Sequence, residues 1–309
     1  MRTKVVVNPN SANGRTGRTW DSIEGEIRKH LPEFDVGFTA APRDATEIAR
    51  RALHEGCELV VCVGGDGTIS EVVNGFFEGG ELINGRAELG IVCVGTGADF
   101  VKTLGIPRTM PEAAAVLGGG GVVRCDVGRI RCNRDDGSGM EHYFINIADF
   151  GIGGVVVDRV NRTTKVFGGF ASFFIGMLRA AFSYRNQPVR IEVDGEVIGE
   201  RVIKNVVVAN GQYFGGGMRI AKEARLDDGL FEVIILGDLG MIEMLLILRR
   251  MYRGDIIGAG KVERYKARTV RAAAEGEVLL DVDGEQIGVL PASFEILPAC
   301  IGVKVPDAK

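Results

Sequence analysis

The sequence has little of what marks a nucleic-acid binder, a secreted protein or a membrane span. Its 37 lysines and arginines do not outnumber its 41 aspartates and glutamates, and a net charge of -4 argues against a general nucleic-acid binder. The longest uncharged run, residues 166–178, has roughly 13 residues, short of the ~20 that a spanning helix needs. The amino terminus holds no apolar region long enough for a signal peptide. We therefore expect a cytoplasmic protein without a transmembrane segment.

The sequence is also poor in groups that bind metals through nitrogen or sulfur. Its 3 histidines show no ligand-like arrangement, and its 6 cysteines are scattered, with no pair at the two-residue spacing of a zinc or redox motif. We expect the cysteines to be reduced thiols of the core. What the chain does have is 309 residues, 46% hydrophobic and 25% charged, which is typical of a globular protein with one large domain or two ordinary ones.

Hydrophobic patterning divides the chain near residue 124. Before it, short apolar runs alternate with helical patterns, which predicts a mostly parallel sheet and a three-layer α/β domain over residues 1–124. After it, strand-like segments separated by turns predict an antiparallel β-sandwich over residues 125–299, with a last strand, at about 300–309, that returns to the first domain. The strands predicted in this half include 143–149, 202–209 and 293–297, and the two predicted helices are 166–183 and 239–252.

The strongest chemical signal is a glycine-rich turn between a buried strand and a helix. Directly after the apolar run 59–63 come Gly64, Gly65, Asp66, Gly67 and Thr68. Glycines there let the backbone approach a polyphosphate, and the amides at a helix start offer it partial positive charge. A carboxylate among phosphates is costly unless it binds a metal ion or orients a hydroxyl group. Asp66 therefore favours nucleotide chemistry over the alternative of a simple tight turn.

Two further segments follow strands in the same half. They are Asn8, Pro9, Asn10, Ser11, Ala12, Asn13 and Gly14, and then Gly95, Thr96, Gly97, Ala98, Asp99 and Phe100. With the glycine-rich turn, they resemble the ATP-contacting segments of the diacylglycerol kinase catalytic-domain family, which includes the YegS-like lipid kinases. A helix-capping turn is the alternative for the first segment. In the second, Val94 and Ala98 depart from the family's proline-led turn and asparagine.

The resemblance implies a set of nucleotide contacts and a fold. The fold is a nucleotide-binding α/β domain similar to that of NAD kinases and diacylglycerol kinases, followed by a β-sandwich. Asp66 is the expected carboxylate near magnesium. The residues implied to contact ATP are Asn8, Pro9, Asn10, Ser11, Thr39, Gly64, Gly65, Asp66, Gly67, Thr68, Glu71 and Thr96.

A third match lies in the second half, where residues 210–218 are glycine-rich and residues 224–230 contain an Asp-Asp-Gly turn. Such turns carry Asp-Gly for conformational reasons alone, and that alternative stays open. In the family the second aspartate, here Asp228, belongs to a structural magnesium site. The resemblance implies that Arg225 and Leu230 complete it.

The fourth match is Asp283, Gly284 and Glu285. In the family this turn faces the nucleotide across the interdomain cleft, and the resemblance implies that Glu285 accepts the proton, with Asp283 as the other candidate. A second Asp-Gly-Glu, 194–196, is interpreted as an ordinary hairpin turn. Spacing alone does not separate the two copies.

The four matches together imply an ATP-dependent lipid kinase that uses Mg²⁺. It would transfer the γ-phosphoryl group to a lipid hydroxyl, with diacylglycerol or a related lipid as acceptor. One alternative is an NAD kinase or another small-molecule kinase, against which segments 215–217 and 227–229 argue. The other is a non-catalytic binder of nucleotide or lipid, against which the retained Asp66, Asp228 and Glu285 argue.

Two segments are candidates for contact with the lipid substrate or the membrane. The apolar run 166–182 is a candidate lipid groove or membrane contact, and a helix packed on the sandwich is the alternative. The basic stretch 249–271 is a candidate for anionic head groups, and a solvated surface is the alternative. We expect a lipid substrate at a membrane surface, peripheral association with that membrane and no nucleic-acid partner. A homodimer is left open.

Overall fold

The computed structural model describes residues 1–95, 97–134, 136–163, 184–256 and 260–307. The chain forms two compact units: Met1–Val127 with Pro298–Lys309, here the amino-terminal unit, and Gly128–Leu297, here the carboxyl-terminal unit. The sequence placed this border between residues 124 and 125. The helix predicted over residues 166–183 lies outside the described residues.

The amino-terminal unit alternates strands and helices. Its elements are β1 (Thr3–Val7), α1 (Ser11–Arg18), α2 (Trp20–Arg28), β2 (Asp35–Phe38), α3 (Asp44–His54), β3 (Leu59–Gly64), α4 (Asp66–Gly75), β4 (Phe77–Glu78), β5 (Glu81–Leu82), β6 (Glu88–Cys93), α5 (Asp99–Leu104), α6 (Met110–Gly119) and the start of β7 (Gly121–Asn133).

A parallel sheet is the centre of this unit, in the order β2-β1-β3-β6. Its register pairs Val5 with both Val36 and Val61, and Val61 with Gly90. Every residue of β3 is buried, as expected for a parallel strand that is covered on both faces. The end of the chain's last strand adds to β6 in parallel, through Gly302 opposite Glu88.

Helices cover the sheet and complete the predicted three layers. Trp20 and Ile27 of α2 and Leu117 of α6 share one core cluster with alternate valines of the strands. Helices α3 and α4 pack against each other so closely that a Cβ on Gly75 would lie 2.6 Å from the Thr46 carbonyl oxygen. The α/β fold predicted from the alternating pattern is confirmed.

The carboxyl-terminal unit is built mainly of strands. Its elements are the rest of β7, β8 (Gly139–Phe144), β9 (Ile147–Gly151), α7 (Ile152–Thr163), β10 (Gln187–Val193), β11 (Glu196–Ile203), β12 (Asn205–Ala209), β13 (Tyr213–Phe214), β14 (Met218–Arg219), β15 (Phe231–Leu236), α8 (Met241–Met251), β16 (Val262–Ala267), β17 (Thr269–Ala273), β18 (Leu279–Val282) and β19 (Glu285–Val305).

These strands pair antiparallel, and most of them contribute to one large apolar cluster. One path runs β16-β15-β12-β9-β18-β19, and β10 pairs with β11 and β17. Phe144 stacks on Phe231 at 5.6 Å between ring centroids, and Phe150 on Phe294 at 5.9 Å. The predicted antiparallel β-sandwich is confirmed.

The structure corrects three predicted strands. Segments 143–149 and 202–209 were each predicted as one strand, which is wrong, because each is two strands separated by a break. The Lys204 amide turns to the Leu236 carbonyl oxygen (2.8 Å) at the second break. Segment 293–297 is not a separate strand but part of β19. Among the described residues, no helix has the length and apolar character needed to cross a membrane.

Candidate functional site

The carboxyl ends of four parallel strands meet at one edge of the amino-terminal unit. Asn8 follows β1, Thr39 follows β2, Gly65 follows β3 and Val94 follows β6. The Val94 amide donates to the Gly64 carbonyl oxygen at 2.8 Å, which ties the last two of these segments together. Ligands of open α/β sheets bind at this edge. The structure therefore brings three of the sequence-predicted nucleotide segments together where the fold favours a ligand.

The glycines of this edge are required by close approach. A Cβ on Gly64 would lie 2.5 Å from Thr68 Oγ1, and one on Gly95 would lie 2.7 Å from the Cα of Gly65. Helix α4 begins directly after Gly65, and its first-turn amides have no acceptor within the helix. Backbone without side chains, together with amides at a helix start, can bind a polyphosphate. We call the backbone of Gly64, Gly65 and Gly95 and the first turn of α4 the cradle.

The side chain of Asn8 joins the first segment to the glycine-rich turn. Its Nδ2 donates to Thr68 Oγ1 at 3.0 Å, and its Oδ1 accepts from the Asn10 amide at 3.0 Å. Thr39 is buried at the same edge, and its amide donates to the Val7 carbonyl oxygen at 2.9 Å. These bonds fix the positions of four predicted nucleotide contacts.

The rest of the first segment has an unusual backbone. Three consecutive residues adopt positive φ, namely Ala12 (52°), Asn13 (57°) and Gly14 (75°). Asn10 makes no side-chain capping bond to α1. Ser11 Oγ shares a hydrogen bond with Thr16 Oγ1 (2.5 Å), and the Pro9 carbonyl oxygen accepts from the Gly17 amide (3.0 Å). The helix-capping alternative for this segment thus lacks its side-chain bond.

Asp66 is bonded to the backbone of the second predicted segment. Its Oδ1 accepts from the amides of Asp99 (3.0 Å) and Phe100 (3.3 Å) at the start of α5. Burial raises the pKa of the Asp66 carboxyl group, and the neighbouring Asp99 carboxylate raises it further. A Cβ on Gly97 would lie 2.8 Å from Asp66 Oδ2. Asp66 therefore positions this loop, and its contact with a metal ion stays a prediction.

Three basic side chains that sequence reasoning missed surround this loop. Arg15 donates to the Val94 carbonyl oxygen (3.2 Å), and Arg108 to the Gly95 carbonyl oxygen (3.3 Å). Lys102 Nζ donates to the Gly97 carbonyl oxygen at 3.0 Å. The positive charge of Arg15 and Arg108 favours an anionic ligand at this edge, whereas Lys102 also pairs with Asp99 Oδ1 at 2.8 Å. Only the fold brings them together, because they lie on three different helices or loops.

Glu71 and Thr96 complete the predicted nucleotide set. Glu71 Oε2 accepts from the Ala45 amide (3.1 Å), and the Glu71 carbonyl oxygen accepts from Thr46 Oγ1 (2.8 Å), so Glu71 joins α4 to α3. Its contact with a nucleotide stays a prediction. Thr96 lies outside the described residues.

In the carboxyl-terminal unit, Asp283 anchors the acidic turn to a neighbouring loop. Its Oδ2 accepts from the Ile145 amide (3.0 Å), and its Oδ1 from the amides of Asn146 (3.2 Å) and Ile147 (2.9 Å). Both oxygens of this carboxylate are therefore committed to the backbone. Glu285 is half-buried and begins β19.

The same loop binds the glycine-rich segment of the third match. Asn146 Nδ2 donates to the Tyr213 carbonyl oxygen (2.9 Å), and Asn210 Nδ2 donates to the Ile145 carbonyl oxygen (2.7 Å). Two segments far apart in sequence thus meet at residues 145–147. Sequence reasoning missed this loop because it placed it inside a continuous strand.

Beneath the acidic turn lie two buried carboxyl groups that sequence reasoning also missed. Asp149 of β9 and Asp281 of β18 are direct partners in the ladder, where Cβ atoms stand about 4.5–5.5 Å apart. Burial raises the pKa of Asp149 to about 7, and burial together with the Asp149 charge raises the pKa of Asp281 well above its ordinary value. Asp281 Oδ1 accepts from the Gly284 amide at 2.9 Å. The pair therefore holds a proton near neutral pH directly behind the turn.

The residues predicted to bind magnesium form a tight turn in which both aspartates have a basic partner. Asp227 is paired with Arg225 (3.1 Å), whereas Asp228 accepts from the Leu230 amide (3.2 Å) and lies 3.5 Å from Lys266 Nζ. No cluster of three or more metal-binding side chains occurs among the described residues. The ammonium group of Lys266 already compensates the charge of Asp228, and Mg²⁺ binding at this turn stays a prediction.

Comparisons with known proteins agree with this geometry. Residues 2–130 match the diacylglycerol kinase catalytic domain, and residues 146–305 match the YegS C-terminal NAD kinase beta sandwich-like domain. A curated diacylglycerol kinase of Staphylococcus carnosus is 32% identical over 306 residues, 99% of this chain and 95% of its own length. One of Bacillus subtilis is 30% identical over 311 residues, with 100% and 97% covered.

Solved structures show the same fold. A diacylglycerol kinase of Bacillus anthracis has a TM-score of 0.72 at 22% identity, with 98% of this chain and 96% of that one covered. An NAD kinase from Archaeoglobus fulgidus in complex with ATP has a TM-score of 0.51 at 15% identity, with 98% and 93% covered. The chain thus has the architecture that these kinases share. The chain belongs to the diacylglycerol kinase family, and by that membership it is a lipid kinase.

Proposed function

We propose that the protein transfers the γ-phosphoryl group of ATP to the hydroxyl group of a lipid, with diacylglycerol as the acceptor. The observation that carries the proposal is the cradle at the start of α4, where Gly64 and Gly95 leave no room for a side chain. Asn8 and Thr68 are bonded to each other at the same edge. The named activity of the curated relatives supplies the acceptor class.

The amino-terminal unit positions the nucleotide. The first-turn amides of α4 bind the phosphates, and the positive charge of Arg15 and Arg108 favours their approach. Asp66 keeps the loop before α5 in place through its two amide contacts. Phosphoryl transfer asks the protein mainly for such positioning and for neutralisation of charge.

The carboxyl-terminal unit supplies the base. As the lipid hydroxyl oxygen bonds to the γ-phosphorus, the bond from that phosphorus to the β–γ bridging oxygen breaks, ADP leaves, and Glu285 takes up the hydroxyl proton. Asp283 is the weaker candidate, because its carboxylate accepts three backbone amides. In this proposal Asp283 positions the turn that carries Glu285.

Magnesium would bind at two positions. Asp228, with the backbone carbonyl oxygens of Arg225 and Leu230, would hold a structural ion, and Asp66 Oδ2 is the candidate contact for an ion at the phosphates. When bound, Mg²⁺ neutralises phosphate charge. The protein works in the cytoplasm, at the membrane surface where its lipid substrate lies.

The test is transfer of label from γ-labelled ATP into a total lipid extract, followed by identification of the labelled lipid. We expect labelled phosphatidic acid from the unaltered protein and none from Glu285→Gln or Asp66→Ala, with circular dichroism unchanged. Formation of NADP from NAD without any labelled lipid would favour the NAD kinase alternative. Absence of turnover with every acceptor would favour a non-catalytic binder.

A further inference from the structure

Helix α8 is apolar on two opposite faces. The inward face packs on an apolar cluster of the carboxyl-terminal unit through Met244, Ile247, Leu248 and Met251. The outward face exposes Ile242 (75%), Leu245 (47%) and Leu246 (61%). A helix with apolar residues all round is normally buried. One face of α8 therefore lacks a covering partner within the described part of the chain.

The exposed residues form a continuous row. Positions 242, 245 and 246 have the i, i+3, i+4 spacing of one helical face, and Tyr252, exposed by 48%, continues it just past the helix end. Single exposed aliphatic residues are common on protein surfaces, but adjacent ones mark an interaction site. A row of large aliphatic residues that ends in tyrosine is typical of helices that lie in a membrane interface.

The basic stretch 249–271 begins on this helix, and its side chains fall into two groups. Much of the basic stretch is neutralised, since Lys261 pairs with Glu243 (2.9 Å), Arg264 with Glu232 and Arg271 with Glu192 (3.3 Å). That part of the stretch fits the predicted solvated surface.

Two exposed arginines of the stretch differ from the rest. Arg249 continues the row one turn beyond Leu246, and Arg253 follows the helix end. Neither forms an ion pair with any residue that the structure describes. No acidic side chain occupies the row, although the whole chain carries a net charge of -4.

We propose that this row, formed by Ile242, Leu245, Leu246, Arg249, Tyr252 and Arg253, docks the protein on an anionic lipid bilayer. The inference rests on the proposed function, because a bilayer is where the acceptor lipid lies. The aliphatic side chains enter the interface, and the arginines meet anionic head groups, each basic residue near such a surface being favourable. A second copy of this chain fits less well, because a two-fold contact would present the same arginines and no acid.

The experiment measures vesicle binding and activity in parallel. The triple variant Ile242→Gln, Leu245→Gln, Leu246→Gln keeps helix-forming residues while removing the apolar row. We expect the unaltered protein to sediment with vesicles of phosphatidylcholine and phosphatidylglycerol. The affinity of the triple variant for these vesicles should be lower by at least about tenfold. Arg249→Gln with Arg253→Gln should weaken binding and remove most of its salt dependence.

Val197 and Val202 of β11 provide the matched control. They are exposed by 48% and 46%, so Val197→Gln with Val202→Gln removes apolar surface elsewhere on the same unit and should leave vesicle binding unchanged. Turnover of a short-chain, water-soluble diacylglycerol should be equal in all variants, whereas turnover of long-chain diacylglycerol in vesicles should fall with binding.

Three results separate the possibilities. Vesicle binding that the triple variant retains would overturn the proposal. A change from dimer to monomer in the triple variant, with vesicle binding retained, would also overturn it and assign the row to contact between copies. Loss of vesicle binding by the triple variant, with no lipid phosphorylation by any protein tested, would support the docking surface while refuting the proposed function.

Discussion

The two Asp-Gly-Glu turns of the carboxyl-terminal unit share a backbone and differ in their surroundings. In turns 194–196 and 283–285 the aspartates have φ of 48° and 50°, and the glycines 84° and 90°. Each aspartate amide donates to a neighbouring strand, at the carbonyl oxygen of Thr269 (3.0 Å) or Ile147 (2.9 Å). The same three residues therefore form the same hairpin turn at both places in this chain.

The surroundings distinguish the candidate site from the plain turn. Asp194 is exposed and uses Oδ1 alone, for the amides of Arg268 and Thr269 (both 2.8 Å). Asp283 uses both oxygens for three amides, and the buried Asp281 accepts from the glycine of its turn. Turn 283–285 thus differs from the plain turn in its bonds to the 145–147 loop, which is far away in sequence, and to the buried Asp281.

The largest expected difference between the turns is in catalysis. Glu285→Gln should lower kcat for lipid phosphorylation by about a hundredfold to ten-thousandfold, because the amide accepts no proton. Glu196→Gln, the same change at the exposed turn, should leave kcat unchanged. Steady-state assays on diacylglycerol in detergent micelles measure both. Equal loss of activity in the two variants would remove the distinction between the turns.

The next difference is in stability. Asp283→Asn leaves one oxygen to accept where the carboxylate used two, so an amide of the 145–147 loop loses its acceptor, at a cost of about 2 kcal/mol. Asp194→Asn keeps its one accepting oxygen and should cost less than about 1 kcal/mol. Urea unfolding followed by circular dichroism measures both free energies of unfolding. A larger loss at Asp194 than at Asp283 would contradict the contacts described.

The buried pair predicts a dependence of stability on pH. The pKa of Asp149 is about 7 in the folded protein and near its model-compound value of 3.8 when unfolded, so the native state binds more protons between these values. The free energy of unfolding should therefore fall as pH rises from about 4 to about 7, and Asp281, whose pKa burial also raises, adds to this loss.

Asp149→Asn removes this titration. Relative to the variant, the unaltered protein should lose stability with a slope approaching about 1.4 kcal/mol per pH unit in the window. Urea unfolding at a series of pH values gives the difference between the two proteins. Parallel curves throughout that range would show that Asp149 is ionised in the folded protein.

The smallest expected effect is on stability and tests whether the two turns have the same backbone conformation. Gly195→Ala and Gly284→Ala each place a side chain at positive φ where nothing lies within 4 Å, so strain alone acts. Both should cost about 1 kcal/mol. Thermal unfolding of the two variants should show equal shifts, and a markedly larger shift at one turn would reveal a backbone difference that the φ values do not show.

The sequence predicted the parts of the fold that local pattern controls. The apolar run before Gly64 predicted β3 and the helix that follows it, because a fully covered parallel strand reads as uninterrupted valine and leucine. The antiparallel half was predicted from alternating residues and Asp-Gly turns. The breaks at Asn146 and Lys204 were not, since the partners that turn these backbones away lie in distant segments.

The candidate site also has features that local sequence motifs predicted and features that they did not. The sequence motifs predicted the cradle and the acidic turn. The structure places the cradle at the carboxyl ends of parallel strands and the acidic turn in a hairpin. They did not predict Arg108 beside Gly95, nor Asp149 opposite Asp281, because each of these contacts depends on how elements far apart in the chain come together. A single aspartate in an otherwise apolar strand, as at Asp149 and at Asp281, was the available signal for the buried pair.

The most direct test of the central claim isolates the chemical step. Labelled ATP bound to excess protein is mixed with diacylglycerol, and transfer of the terminal phosphate is followed in a single turnover. The account predicts that Glu285→Gln binds ATP with an unchanged Kd yet transfers no label on the time scale of the unaltered protein. Transfer by Glu285→Gln at the unaltered rate would contradict the assignment of the acidic turn as the proton acceptor.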